Sequence, residues 1–132
     1  MSTITFSGNL AADPELRFTP SGNQVANLTV LENRRRQDDR TGEWSDLEPN
    51  RYRVQVWGST AVNIIDSAHK GDRVVVVGTI VTDRWTDKDT GEARTGQHVK
   101  ATEVGFSLKY HTVKATKSTR ATAQDGTGVD EQ

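Results

Sequence analysis

Arg51, Arg53, Gln55 and Trp57 stand at every second position of one short run, with Tyr52, Val54 and Val56 between them. Read as a β-strand, the run sends two guanidinium groups, an amide and an indole to one face. The aromatic and aliphatic residues go to the other. The second face can enter a core and the first cannot. Cations beside a flat ring suit ion pairing with phosphates and stacking on bases. The same alternation also fits a solvated edge face on which Trp57 covers a barrel end. Trp85, flanked by Arg84 and Lys88, and Trp44, which follows a polar stretch, are further aromatic candidates. The strand phase of Trp44 is open, and filling a barrel end suits it at least as well as stacking. The dense cation run is Arg34-Arg35-Arg36 with Arg40, offset by Asp38 and Asp39. A hairpin arm of this kind can follow a phosphate backbone, and it can equally be a solvated tip.

Other chemistry is hard to find. His69, His98 and His111 lack metal-ligand spacing, and no nucleophile elbow, phosphate loop or zinc-protease helix motif occurs. Asp87-Lys88-Asp89-Thr90-Gly91-Glu92 has the composition of a calcium loop. Its Gly stands fifth, where such a loop needs an oxygen ligand, so a hairpin turn is expected. The expectation is a protein that is not an enzyme and holds no metal or cofactor.

The elements that would position these residues are mostly strands. Ile4–Leu10, Val25–Leu31, Arg51–Trp57, Val74–Trp85 and Gln97–Val104 read as five main strands, with Ser107–Val113 as one more at the C-terminal end. Arg34–Glu43 and Asp87–Gly96 read as polar hairpin tips. Between Ser59 and Lys70, Ala61, Val62, Ile64, Ile65 and Ala68 recur at helical spacing. Five strands with one helix between the third and fourth match the Greek-key barrel of the OB-fold. The fold class is therefore all-β with one short helix.

The totals bound the rest. The 132 residues suffice for one domain, carry no Cys, and balance 17 Lys and Arg against 18 Asp and Glu for a net charge of −1. Any phosphate-binding surface must then be a local stripe. No signal peptide is read at the N-terminus, and no apolar run reaches the roughly 18 residues of a membrane helix. A cytoplasmic, nucleoid-associated protein is expected. From about Lys114 the chain is Thr, Ala, Gly, Gln and charges, which cannot bury enough apolar area to offset ordering. The expected organisation is one domain over 1–113 and a flexible tail with an acidic end over 114–132.

Several segments, taken in order, resemble bacterial single-stranded DNA-binding proteins. They are Gly8-Asn9-Leu10, Asp13-Pro14-Glu15-Leu16-Arg17-Phe18, Pro20-Ser21-Gly22, Val25-Ala26-Asn27, Thr41-Gly42-Glu43, Lys70-Gly71-Asp72, Val77-Gly78 and Arg84-Trp85-Thr86-Asp87. Gly105-Phe106-Ser107-Leu108-Lys109-Tyr110, with Thr112 and Lys114, is similar to the actinobacterial branch, where an added strand clamps neighbouring subunits. The resemblance implies an OB-fold assembled as a homotetramer, a dimer of dimers. It would wrap single-stranded DNA without sequence preference in replication, recombination or repair. By position, Trp57 and Trp85 match stacking aromatics, and Arg17, Arg53, Lys70 and Arg84 fall at or near basic positions. The DNA-binding set expected is thus Trp57, Trp85, Trp44, Arg51, Arg53, Arg84, Arg17, Arg35, Arg36 and Lys70. Arg36 and Arg51 replace aromatics of many relatives, which implies steeper salt dependence and a weaker polypyrimidine preference. Tyr52 stands where enterobacterial members have a His near the subunit contact.

The tail departs from the family pattern. It ends Gly128-Val129-Asp130-Glu131-Gln132, with acids but no terminal apolar residue. Weak or absent tail-mediated recruitment of repair enzymes is expected, as in a secondary paralogue or a mobile-element copy that can mix with a principal paralogue. The competing function is an OB-fold accessory protein acting through protein partners at the replisome or primosome. A cold-shock RNA binder would carry denser aromatic motifs, and a nuclease would need a carboxylate cluster.

Overall fold

The computed structural model describes residues 2–118. Its elements run β1 (Thr3–Leu10), β2 (Glu15–Phe18), β3 (Gln24–Gln37), β4 (Trp44–Trp57), α1 (Ser59–Ser67), β5 (Arg73–Thr86) and β6 (Ala93–Phe106). The strands lie in the order β1-β5-β6-β4-β3-β2. A further β1–β3 ladder, Asn9 opposite Leu31 and Leu10 opposite Val30, closes five of them into a barrel with β2 outside it. The closing ladder is short, so residues 3–8 of β1 are paired with β5 alone and β2 has one partner.

Alternation explains what fills the barrel. Leu28 and Val30 on β3, Val54 and Val56 on β4, and Val74 and Val76 on β5 are all buried, while their neighbours turn outward. The helix closes one end with Ala61 and Ile64, and Ala68 at its C-cap is buried too. Phe6 stacks on Tyr52 with ring centroids 4.0 Å apart. The Tyr52 hydroxyl donates to Glu32 Oε1 at 3.2 Å. Burial first, and then the Glu32 carboxylate, hold that phenol above its ordinary pKa.

Two long hairpins leave the barrel, β3–β4 and β5–β6. Both strands of each are longer than the sequence suggests: polar residues are tolerated there because the ribbon outside the core is solvated on both sides. The tips shrink to Asp38–Glu43 and Asp87–Glu92, and they are the same turn made twice. In each, the first Asp accepts a hydrogen bond from the amide two residues on, Arg40 or Asp89, at 2.8 Å. The Thr hydroxyl accepts from the Glu amide, at 3.2 Å in one and 3.3 Å in the other. Gly42 and Gly91 both sit at φ 73°, where a side chain would be strained. The Asp87 oxygens are thus committed to the turn, in line with a hairpin and not a calcium loop.

The Asp89 amide, with smaller help from Thr90 and the Arg94 guanidinium, holds the Asp87 carboxyl below its ordinary pKa. Such a group supports the tip above the ordinary carboxylate range and loses that support as pH falls through its depressed value. Amide shifts of Asp89 and Thr90 should therefore move in acid, and Asp87→Asn should flatten that response.

Two features differ from the sequence reading. Glu15–Phe18 forms a short strand, β2, on the outer edge of β3. Ser107–Val113 is not a further strand in the single chain. β6 ends at Phe106, Leu108–Lys109 turn, and the Lys109 amide bonds back to Ser107 Oγ at 3.3 Å. Alternation makes a strand only where a partner strand is paired, and this segment turns back after Phe106 and pairs with none in the single chain. The expected tail lies mostly beyond residue 118, outside the described residues.

Candidate nucleic-acid interface

The Arg51–Trp57 face is built as its alternation requires. Val54 and Val56 are buried, while Arg51, Arg53 and Trp57 face out. Register extends this face across the sheet, because residues directly opposite in a ladder share one side. Arg17 on β2 stands opposite Val25 on β3, and Val25 stands opposite Trp57. Across the short parallel pairing, Gln55 stands beside Lys100 of β6. The Lys100 ammonium lies 5.8 Å from the Trp57 ring centre, within cation–π reach.

Arg53 joins this surface to the second hairpin. Its Nη2 donates to the Gln97 carbonyl at 3.2 Å and lies 3.6 Å from Asp83 Oδ2. Asp83 and Trp85 are alternate residues of β5 and share a side. Gly96 faces Asp83 across the β5–β6 ladder. A Cβ on Gly96 would come within 3.2 Å of the Trp85 ring and 3.6 Å of Arg53 Nη2. The bare backbone there lets the indole lie over β6 beside the guanidinium. Trp57, Lys100, Arg53 and Trp85 thus form one continuous strip. Both indoles keep open area, 36% exposed for Trp57 and 48% for Trp85.

A bulge decides the phase of Trp44. On β3 the register passes from Glu32 to Arg34, while on β4 it passes from Asn50 to Leu47. One extra residue on β4 turns every side chain before it to the other side. Unbroken alternation from Val54 would send Trp44 toward the core side. The bulge instead puts it on the side of Arg51 and Arg53, where it is exposed with the Arg35 guanidinium 5.2 Å over its ring. The bulge leaves no sequence mark beyond Pro49, which stands within it.

The other predicted residues divide. Arg35 is on the Trp44 side, 3.5 Å from Asp46. Arg36, opposite Ser45, is on the reverse side of that ribbon. Arg84 precedes Trp85 directly in β5 and so points away from it. Arg17 is exposed and pairs with Glu15 at 3.6 Å. Lys70 stands apart, its amide bonded to Asp13 Oδ1 at 2.8 Å after α1, with no contact to Trp57 or Trp85 among the described residues. Lys100 was missed, although its place one step after the core residue Val99 could have revealed it. Exposed ion pairs of this kind contribute about 0–1 kcal/mol, so these cations are available to a stronger anion. Among the described residues, no cluster of His, Asp or Glu could hold a metal ion, and no helix is long and apolar enough to cross a membrane.

The model of the single-strand binding protein family matches residues 1–107. The chain belongs to that family. Over 120 residues it is 45% identical to the single-stranded DNA-binding protein of Mycobacterium bovis, covering 91% of this chain and 73% of that one. This likeness agrees with the actinobacterial character of residues 105–114. The structure is similar to a small single-stranded DNA-binding protein from Streptomyces coelicolor, with TM-score 0.67 and 25% identity over 81% of this chain and 94% of that one. It also resembles the Plasmodium falciparum single-strand binding protein solved with single-stranded DNA, at TM-score 0.68 and 22% identity over 80% and 94%. That last likeness speaks to the fold alone. Together they establish the OB-fold, within a family of binding proteins and not of enzymes.

Proposed function

We propose that this protein binds and wraps single-stranded DNA without sequence preference, holding bases on Trp57 and Trp85 and phosphates on the cations between them. The observation that carries this reading is the continuous strip Trp57–Lys100–Arg53–Trp85, which joins both long hairpins. Trp44 and Arg35 extend the path along the first hairpin, Arg51 lies between them and Arg53, and Arg17 flanks Trp57. Arg36, Arg84 and Lys70 lie off this strip and would meet only a strand that passes around the hairpins or onto a second face. A near-neutral chain can still bind a polyanion when its cations line one groove.

Assembly as a homotetramer is part of the proposal. Leu108, Tyr110 and Val113 are exposed in the single chain, as are Val75 and Val77 on β5. A second copy would cover such surface and give Ser107–Val113 an edge to clamp. Sedimentation as a stable monomer would overturn this. One domain over 1–113 with a tail from 114, a place in replication, recombination or repair in the cytoplasm, and mixing with a principal paralogue extend the same reading.

The test is tryptophan fluorescence on titration with oligo-dT, repeated with duplex DNA and at rising salt. Strong quenching by the single strand alone, falling steeply with salt, is the expected result. No quenching and no binding would overturn the reading and turn attention to protein partners. Arg51→Trp should trade a phosphate contact for a stacking one and lower the slope of log affinity against log salt by about 0.7. Equal slopes would show that Arg51 meets no phosphate.

A further inference from the structure

One carboxylate lies inside the proposed DNA strip. Asp83 Oδ2 is 3.6 Å from Arg53 Nη2 and 2.7 Å from His98 Nδ1. Asp83 shares a side of β5 with Trp85, so a strand laid over that ring passes a negative charge. The His98 ring is largely covered, 12% exposed, and borders a small cleft with Ile4, Arg51, Tyr52, Arg53 and Ile80. The cleft volume, about 150 Å³, is room for a few waters beside the imidazole. Arg53, Asp83 and His98 lie outside the buried core, and their contacts tie β4 to the β5–β6 hairpin beside the short β4–β6 pairing.

We propose that single-stranded DNA binding is an ion-pair exchange in which a backbone phosphate takes Arg53 from Asp83 and His98 takes up a proton. This rests on the single-stranded DNA reading above. The Arg53–Asp83 pair is half-exposed and long, hence weak. A phosphate can receive a guanidinium by two parallel hydrogen bonds and competes well for it. Asp83 is then left with His98 alone. The contact to a carboxylate places one hydrogen on Nδ1, so the incoming proton, drawn from water, goes to Nε2.

The surrounding charges set the direction. In the free protein, Arg51 and Arg53 from β4 and Lys100 from β6 oppose a proton on His98, and Asp83 from β5 favours it. Tyr52 is committed to Glu32, and β1 offers only Ile4. An arriving phosphate adds a negative charge and neutralises one of the opposing cations. Both changes favour the imidazolium, so binding and protonation assist each other. Affinity must rise as pH falls through the histidine range. Asp83 meanwhile limits affinity at higher pH, because there it faces the phosphate with only the neutral His98 ring as its hydrogen-bond partner.

The experiment is oligo-dT titration by tryptophan fluorescence at pH ~6 and ~8 and fixed ionic strength, for the native chain, His98→Gln and Asp83→Asn. The native chain should bind about fivefold more tightly at the lower pH. His98→Gln should lose that dependence. Asp83→Asn should bind more tightly than the native chain at the higher pH, with a smaller dependence that the phosphate alone sets. NMR titration of the His98 ring, free and with oligo-dT, reads the proton directly and should move upward on binding. A pH dependence unchanged in His98→Gln, an unmoved ring titration, or no tighter binding by Asp83→Asn would each overturn the exchange. Failure of the native chain to bind at either pH would instead overturn the single-stranded DNA reading itself.

Discussion

Replacing Trp85 with alanine should weaken binding to oligo-dT by about 1–3 kcal/mol, and replacing Trp57 should cost a similar amount. Either loss is about 5- to 150-fold in affinity. The two rings stand on different strands, with Lys100 and Arg53 between them, so each can hold a different base. Because they share no direct contact, the losses should add in the double variant. That variant should retain only the phosphate term, which is weak at physiological salt and vanishes steeply above it. Fluorescence separates the contributions, since each variant removes its own share of the quenching. Trp44→Ala gives the graded comparison. Trp44 lies beyond the bulge, farther along the hairpin and away from the strip that joins Trp57 to Trp85, with Arg35 over its ring. A smaller loss is expected there. If Trp44→Ala costs more than Trp85→Ala, the strand runs along the first hairpin and not across the strip.

How much of this was legible in the sequence depended on how local the cause was. The Arg51–Trp57 face was readable because alternation alone decides a strand with one buried side, and Val54 and Val56 fixed which side. The helix was readable from the spacing of Ala61, Ile64 and Ala68, and the barrel from the order of the elements. Trp44 was not, because its side depends on an extra residue between Asn50 and Leu47, a fact of pairing and not of composition. Arg84 entered the expected set by the family resemblance and by flanking Trp85, and adjacency in a strand means opposite sides. Lys100 reached the site only through the parallel β4–β6 contact, made by residues far apart in the chain. Ser107–Val113 carried a strand pattern but pairs with no strand of the single chain. The family resemblance supplied what local reading could not, namely that Trp57 and Trp85, far apart in the chain, are expected in one binding set.

Gly78→Ala should be among the most damaging small substitutions in the barrel, beside Gly8→Ala, whose added Cβ would meet the Leu31 backbone. Gly78 faces Ile4 of β1 and Ala101 of β6, where β5 is paired on both sides. The β5–β6 register slips beside it: Val77 meets Glu103 and Gly78 meets Ala101, leaving Thr102 as the extra residue. The Thr102 hydroxyl closes this bulge by donating to the Val77 carbonyl at 3.1 Å. Here the barrel turns its corner, and β6 backbone crowds the Gly78 α-carbon. A Cβ would lie 2.5 Å from the Lys100 carbonyl oxygen and 3.0 Å from the Ala101 α-carbon. Backbone on both counts cannot swing aside as a long side chain could. Overpacking of this kind costs about 3 kcal/mol, a fall in melting temperature of about 10–20 °C for a domain of this size. Gly105→Ala is the matched control on the same ladder. Nothing lies within 4 Å of its added Cβ, so stability should change little. Equal melting of the two variants would rule out close approach as the reason for Gly78. The same collision bears on binding, because Lys100 belongs to the strip and the second hairpin continues from this corner toward Trp85. The portion of Gly78→Ala that remains folded should therefore bind oligo-dT more weakly than Gly105→Ala, as a displaced strip would.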